Sequence, residues 1–128
     1  MGEAAANGTK MGDIRVLVAN EPRSYREVLA VVLSELRRRA DVITVDPADL
    51  DLAVACHHPH LVVCSRLTAG VQAGAVAWAL LYPNGASCAE LSLAGERTSM
   101  SSIDLGGLLS LFDAAAQLVD GHPAGIDA

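Results

Sequence analysis

Hydrophobic positions fall into short blocks whose period changes along the chain. Ile14-Arg15-Val16-Leu17-Val18-Ala19 is an almost unbroken β-branched run, the pattern of a strand buried on both faces of a parallel sheet. Asn20-Glu21-Pro22 closes it, and Pro22 suits the first turn of a helix, where a missing N–H costs nothing. Tyr25, Val28, Leu29, Val32, Leu33 and Leu36 then recur at helical spacing and predict an amphipathic helix to about Arg39. Asp41–Val45 predicts a second strand. Asp46-Pro47 opens a short helix with Asp46 as its N-cap, running through Leu50, Leu52, Val54 and Ala55. His60–Cys64 predicts a third strand. Strand, helix, strand, helix, strand in this order predicts right-handed βαβ units and a parallel sheet.

Past Cys64 the pattern changes. Ser65–Gly74 is small and polar, fit for a loop or a short helix, and Ala75–Tyr82 predicts a strand. Asn84-Gly85 follows, a strong hairpin signal because both central residues of such a turn need positive φ. Cys88–Leu93 alternates as a half-buried strand does, with a stunted helix over 87–93 as the alternative. Gly95-Glu96 turns the chain into a short Arg97–Ser101 segment. Asp104 caps a last helix whose apolar face uses Leu105, Leu108, Leu109, Phe112, Ala116 and Val119. The expected organisation is one domain over 13–121, with unpatterned tails at 1–12 and 122–128.

Composition narrows the function classes. With 128 residues, 52% hydrophobic and 19% charged, the chain has material for one core, and whole-chain disorder is excluded. No apolar run reaches the roughly 18–20 residues that span a bilayer, and no secretory signal opens the chain, so a soluble, cytoplasmic protein without membrane contact is expected. A net charge of −6 without a basic stripe argues against nucleic acid, whose binding rests on neutralising phosphates. The only lysine, Lys10, lies in the N-terminal tail, which removes lysine chemistry from the folded part. Cys56, Cys64 and Cys88 are odd in number and lack C-x-x-C spacing, which fits a reducing compartment.

The first half resembles the receiver domain of bacterial two-component response regulators. The resemblance rests on Arg15-Val16-Leu17-Val18-Ala19-Asn20-Glu21 with Arg26-Glu27-Val28-Leu29 after it, and on Pro59-His60-Leu61-Val62-Val63-Cys64-Ser65. Ser101-Ser102-Ile103-Asp104-Leu105 is similar, more loosely, to the fifth receiver strand and the start of its last helix. The resemblance implies an α/β, three-layer, flavodoxin-like fold, its parallel strands in order 2-1-3 extended here by an antiparallel hairpin. It also implies a pocket of Asn20, Glu21, Ser65, Arg66 and Ser101 beyond the carboxyl ends of strands one and three. Receiver chemistry uses two acids to hold Mg²⁺, an aspartate that takes the phosphoryl group, and a lysine that pairs with the product. Here Asn20 replaces one acid, Ser65 the aspartate and Ser101 the lysine, while Glu21 keeps its carboxylate. A serine hydroxyl forms no acyl phosphate, and one carboxylate is a poor Mg²⁺ site.

Other constellations carry less. Cys56-His57-His58-Pro59-His60 holds metal-ligand residue types, yet a helix end followed by a strand points them apart, and histidines near a helix C-terminus suit its dipole. Arg37-Arg38-Arg39 reads as a solvated helix end. Cys64 and Cys88 have no cationic neighbour in sequence to activate them, and both are expected to be buried, inert thiols. Gly70-x-x-x-Gly74 and Gly106-Gly107 lack the Lys-Ser/Thr of a phosphate loop, and close packing is the expected reason for Gly106-Gly107. Trp78 and Tyr82 share one face by strand alternation and form either core or an exposed patch for a protein partner. No acid, base and nucleophile converge by spacing, so no enzyme, metal or cofactor is expected. The leading expectation is a non-catalytic receiver-like regulatory module working through protein–protein contacts, with a homodimer among them. The alternative is a small-ligand sensor for a nucleotide or anion, with Arg66 supplying the charge.

Overall fold

The computed structural model describes residues 14–83 and 88–120. The expected tails and the Asn84-Gly85 turn lie outside the described residues. Among the described residues six strands form one mixed sheet: β1 (Ile14–Ala19), β2 (Ala40–Thr44), β3 (Leu61–Cys64), β4 (Ala77–Leu81), β5 (Ala89–Leu93) and β6 (Glu96–Met100). Four helices accompany them: α1 (Arg23–Leu36), α2 (Leu50–His57, entered through a 3₁₀ turn at Pro47–Asp49), α3 (Ala69–Gly74) and α4 (Leu105–Val119).

The sheet order is β2-β1-β3-β4-β5-β6. Strand order 2-1-3 was expected and is present, but the sheet differs beyond it. β4 runs parallel to β3, so it continues the parallel part, and the antiparallel pairs are β4 with β5 and β5 with β6. Residues 89–93 are strand, which settles the choice between strand and stunted helix. Ala94 and Gly95 join β5 to β6 with both φ values positive, the requirement of a tight two-residue hairpin.

Side-chain alternation along the strands divides the apolar residues into two clusters. Val16 and Val18 of β1 join Leu61, Val63, Ala77 and Ala79 against Leu29 and Leu33 of α1 and Leu108, Leu111, Phe112 and Ala115 of α4. Leu17 and Ala19 join Val62, Cys64 and Trp78 against Leu50 and Val54 of α2 and Val71 of α3. β1 therefore has both faces covered, which explains its unbroken apolar run. Each fully buried Val or Leu there contributes about 1.5–3 kcal/mol.

Local signals set the element ends. Asp46 accepts from the Ala48 N–H and Asp104 from the Gly107 N–H, as their capping positions predict. Pro22 stands one residue earlier than expected, as the N-cap of α1, and α1 stops at Leu36 rather than near Arg39. Arg37 then turns to Asp113 of α4 with bonds of 2.8 and 2.9 Å, and Arg39 pairs with Asp120 at 2.8 and 3.1 Å. Two of the three arginines therefore tie the end of α1 to α4 instead of simply facing solvent.

The glycines of Gly70-x-x-x-Gly74 also find a packing role. A Cβ on Gly70 would stand 2.5 Å from Asp51 Oδ1, and one on Gly74 would stand 2.6 Å from Val54 Cγ1. Both positions bring α3 close against α2. Gly107 is likewise crowded by Ile103, whereas Gly106 meets only ordinary contacts.

Candidate functional site

Parallel strands deliver their carboxyl ends to one edge, where loops diverge and leave a crevice. β1 and β3 are neighbours in register, Ala19 beside Cys64, so the residues just after each strand meet. Asn20 and Glu21 follow β1, and Ser65 and Arg66 follow β3. The backbone N–H of Glu21 donates to Ser65 Oγ at 3.1 Å, joining the two loops directly. The Glu21 and Arg66 side chains are exposed beside this bond, while Ser65 is half-buried.

Asn20 has no exposed surface, and neither its Oδ1 nor its Nδ2 has a hydrogen-bond partner. Leaving buried polar groups unpaired costs roughly 1–3 kcal/mol each, so this amide is the least satisfied group at the crevice. Below it, burial pushes the Cys64 thiol up to about 12, against a smaller opposing effect of the Arg66 backbone hydrogen bond. Cys64 is therefore a neutral apolar floor to the crevice and not a nucleophile.

Ser101 does not join these residues. It follows β6, the outer strand, with β4 and β5 standing between it and β3. Three strand spacings put it about 14 Å across the sheet from Ser65. The expectation of a Ser101 contribution to the pocket is corrected by the chain reversal at β5, which moves the following strand outward.

Trp78 and Tyr82 do not form a shared patch. Trp78 is 3% exposed and belongs to the α2–α3 cluster, covered by the Arg97 guanidinium 5.0 Å from its ring. Glu90 holds that guanidinium at 2.7 Å. Tyr82 lies beyond the end of β4 at φ +50, which breaks strand alternation and turns it toward the α1–α4 cluster. Its hydroxyl accepts from the Ile103 N–H and donates to the Ile103 carbonyl, both at 3.2 Å. Burial, and secondarily the charge of the Tyr82 phenolic group, raises the Tyr25 pKa above its ordinary value.

The Cys56–His60 cluster disperses. Cys56 is exposed in the last turn of α2, His58 takes a left-handed conformation at φ 50, and His60 Nδ1 accepts from the Arg15 N–H at 2.8 Å. Among the described residues, no three His, Cys, Asp or Glu side chains gather as a metal site. The crevice itself offers one exposed carboxylate (Glu21), one exposed guanidinium (Arg66), one buried amide without partners (Asn20) and one hydroxyl already engaged (Ser65).

Compared with protein-family models, curated proteins and solved structures, the chain matches none. Among the described residues no helix is long and apolar enough to cross a membrane.

Sequence reading missed the outer side of α1. Helical spacing places Val28 in the buried stripe, yet it is 58% exposed and Val31 60%. The signal was available: Val28, Leu29, Val31, Val32 and Leu33 are too many apolar residues in two turns for one buried stripe. It also missed Arg97 over Trp78, a contact that only the strand register creates.

Proposed function

We propose that this chain is a non-catalytic, receiver-like regulatory module of three-layer, flavodoxin-like build that acts through protein contacts and has no phosphoryl switch. The observation that carries this reading is the Glu21–Ser65 bond. The position where an acceptor carboxylate would stand holds a hydroxyl whose oxygen is taken up by a backbone N–H. One carboxylate, Glu21, remains, and Ser101, at the position of the family's lysine, stands three strands away from Ser65. Incubation with Mg²⁺ and acetyl phosphate, a small phosphoryl donor, tests it by intact-protein mass. No phosphoryl adduct is expected, and an adduct removed by hydroxylamine, as acyl phosphates are, overturns the reading.

Asn20 favours a second reading, a small-anion or nucleotide sensor. Its buried amide lacks partners and lies next to the exposed Arg66 loop, so a ligand or water entering the crevice would satisfy it. A thermal-shift series with inorganic phosphate and nucleotides separates the readings, because binding at about a hundredfold excess over Kd stabilises by ~2.7 kcal/mol. A flat series removes the sensor reading.

A further inference from the structure

Helix α1 has two apolar sides. Leu29 and Leu33 face the core, with Tyr25 packed beside them. On the opposite side, Val28 and Val31 stand 58% and 60% exposed, and with Ser24, Glu27 and Val32 they line a groove of about 360 Å³. Exposed β-branched residues gain nothing for a solvated helix, since their propensity is below that of the straight-chain formers.

Charges bracket this face in an ordered way. Glu35 lies four residues past Val31 on the same side, and Arg23 flanks that side at the helix start, one turn before Glu27, with the two valines midway between. Arg23 Nε already bonds Glu27 at 2.8 Å, yet the side chain is 79% exposed, which leaves the guanidinium accessible to a second carboxylate.

We infer that α1 is the interface of a homodimer in which two copies of the helix pack antiparallel across a two-fold axis, Val28 against Val31 of the partner subunit. Antiparallel packing places Arg23 beside Glu35 of the partner subunit, twice by symmetry. Parallel packing would instead set like charges side by side. The two-fold makes the surface self-complementary, as a closed dimer requires. A 14-residue helix is about 21 Å long, too short to reach the ~800 Å² per partner of a standard stable interface. The dimer is therefore weak and exchanges with monomer.

The inference deepens the reading of the chain as a protein-contact module by naming the partner and the surface; its test reads assembly alone and stands apart from the phosphorylation test. Sedimentation velocity of the full chain from micromolar to millimolar concentration should show a shift from monomer toward twice its mass. Val31→Glu should abolish that shift while leaving the circular dichroism spectrum unchanged, since the side chain is outside the core. Arg23→Glu and Glu35→Arg should each weaken dimerisation, and the two together should restore it. A wild-type chain that stays monomeric throughout overturns the inference, as does a Val31→Glu variant that dimerises like wild type. Failure of the double variant to regain what the single changes lose overturns the antiparallel arrangement.

Discussion

The Glu21 backbone N–H and the Ser65 hydroxyl oxygen lie 3.1 Å apart, and this bond closes the loop after β1 onto the loop after β3. In this position Ser65 supports the backbone and holds the two loops of the crevice together. Replacing Ser65 with alanine removes the acceptor and leaves the Glu21 N–H to water, because the site is exposed. The expected loss is about 0.5–1.5 kcal/mol, read as a lower urea midpoint with unchanged slope. A variant as stable as wild type would mean that the bond contributes nothing.

Arg97 shields the only tryptophan. The guanidinium lies over Trp78 and is held by Glu90, with Ser92 between the two strands in register. Arg97→Ala should open the indole to solvent, shifting its emission to the red and raising quenching by acrylamide, at a cost of about 0.5–1 kcal/mol. Glu90→Gln should give a smaller change of the same sign. An unchanged emission maximum in Arg97→Ala would show that other groups keep Trp78 dry.

Cysteine labelling separates the three thiols. Cys88 is exposed like Cys56, against the expectation of a buried thiol there, whereas Cys64 is fully buried with its thiol pushed up to about 12 by desolvation. In the native protein an aromatic disulfide reagent should titrate Cys56 and Cys88 promptly and Cys64 only on unfolding. Prompt reaction of Cys64 would contradict its place between α2, α3 and the sheet.

Acid should weaken the fold through His60. Burial, and secondarily the Arg15 guanidinium, hold the His60 pKa below its ordinary value of 6.5, and Nδ1 serves as acceptor for the Arg15 N–H. The folded state therefore favours neutral imidazole, and the unfolded state binds the proton first. Stability is full above the ordinary value and falls as pH drops from about 6.5 toward the lower folded value. Urea midpoints between about pH 7.5 and pH 5 should decline, and His60→Gln should flatten the part of the decline near pH 6. A wild-type decline that the substitution leaves intact would place its origin in the carboxylates.

Much of the framework was legible because it is written in local patterns. The continuous β-branched runs at Ile14–Ala19 and Leu61–Cys64 can be buried only on both faces, and adjacent parallel strands follow from the helices between them. Asp46 and Asp104 announce helix starts through a side chain that bonds its own neighbourhood. The site was legible only where it depends on those strands, which is why Asn20, Glu21 and Ser65 come together. Ser101 was misplaced because its position depends on which way β5 runs, a tertiary choice made by Ala89, Leu91 and Leu93 pairing with β4. Tyr82 escaped its expected face through one positive φ. Val28 looked like core because periodicity counts apolar residues without knowing which side of the helix meets the sheet.

The proposed regulatory role requires a crevice without a phosphoryl switch. Amide spectra of the labelled protein, recorded with and without Mg²⁺ and beryllofluoride, an acyl-phosphate mimic, test that most directly. The account predicts that the Glu21, Ser65 and Arg66 resonances stay in place across the titration. Saturable shifts centred on those three residues would contradict it and assign the crevice a phosphoryl-binding role.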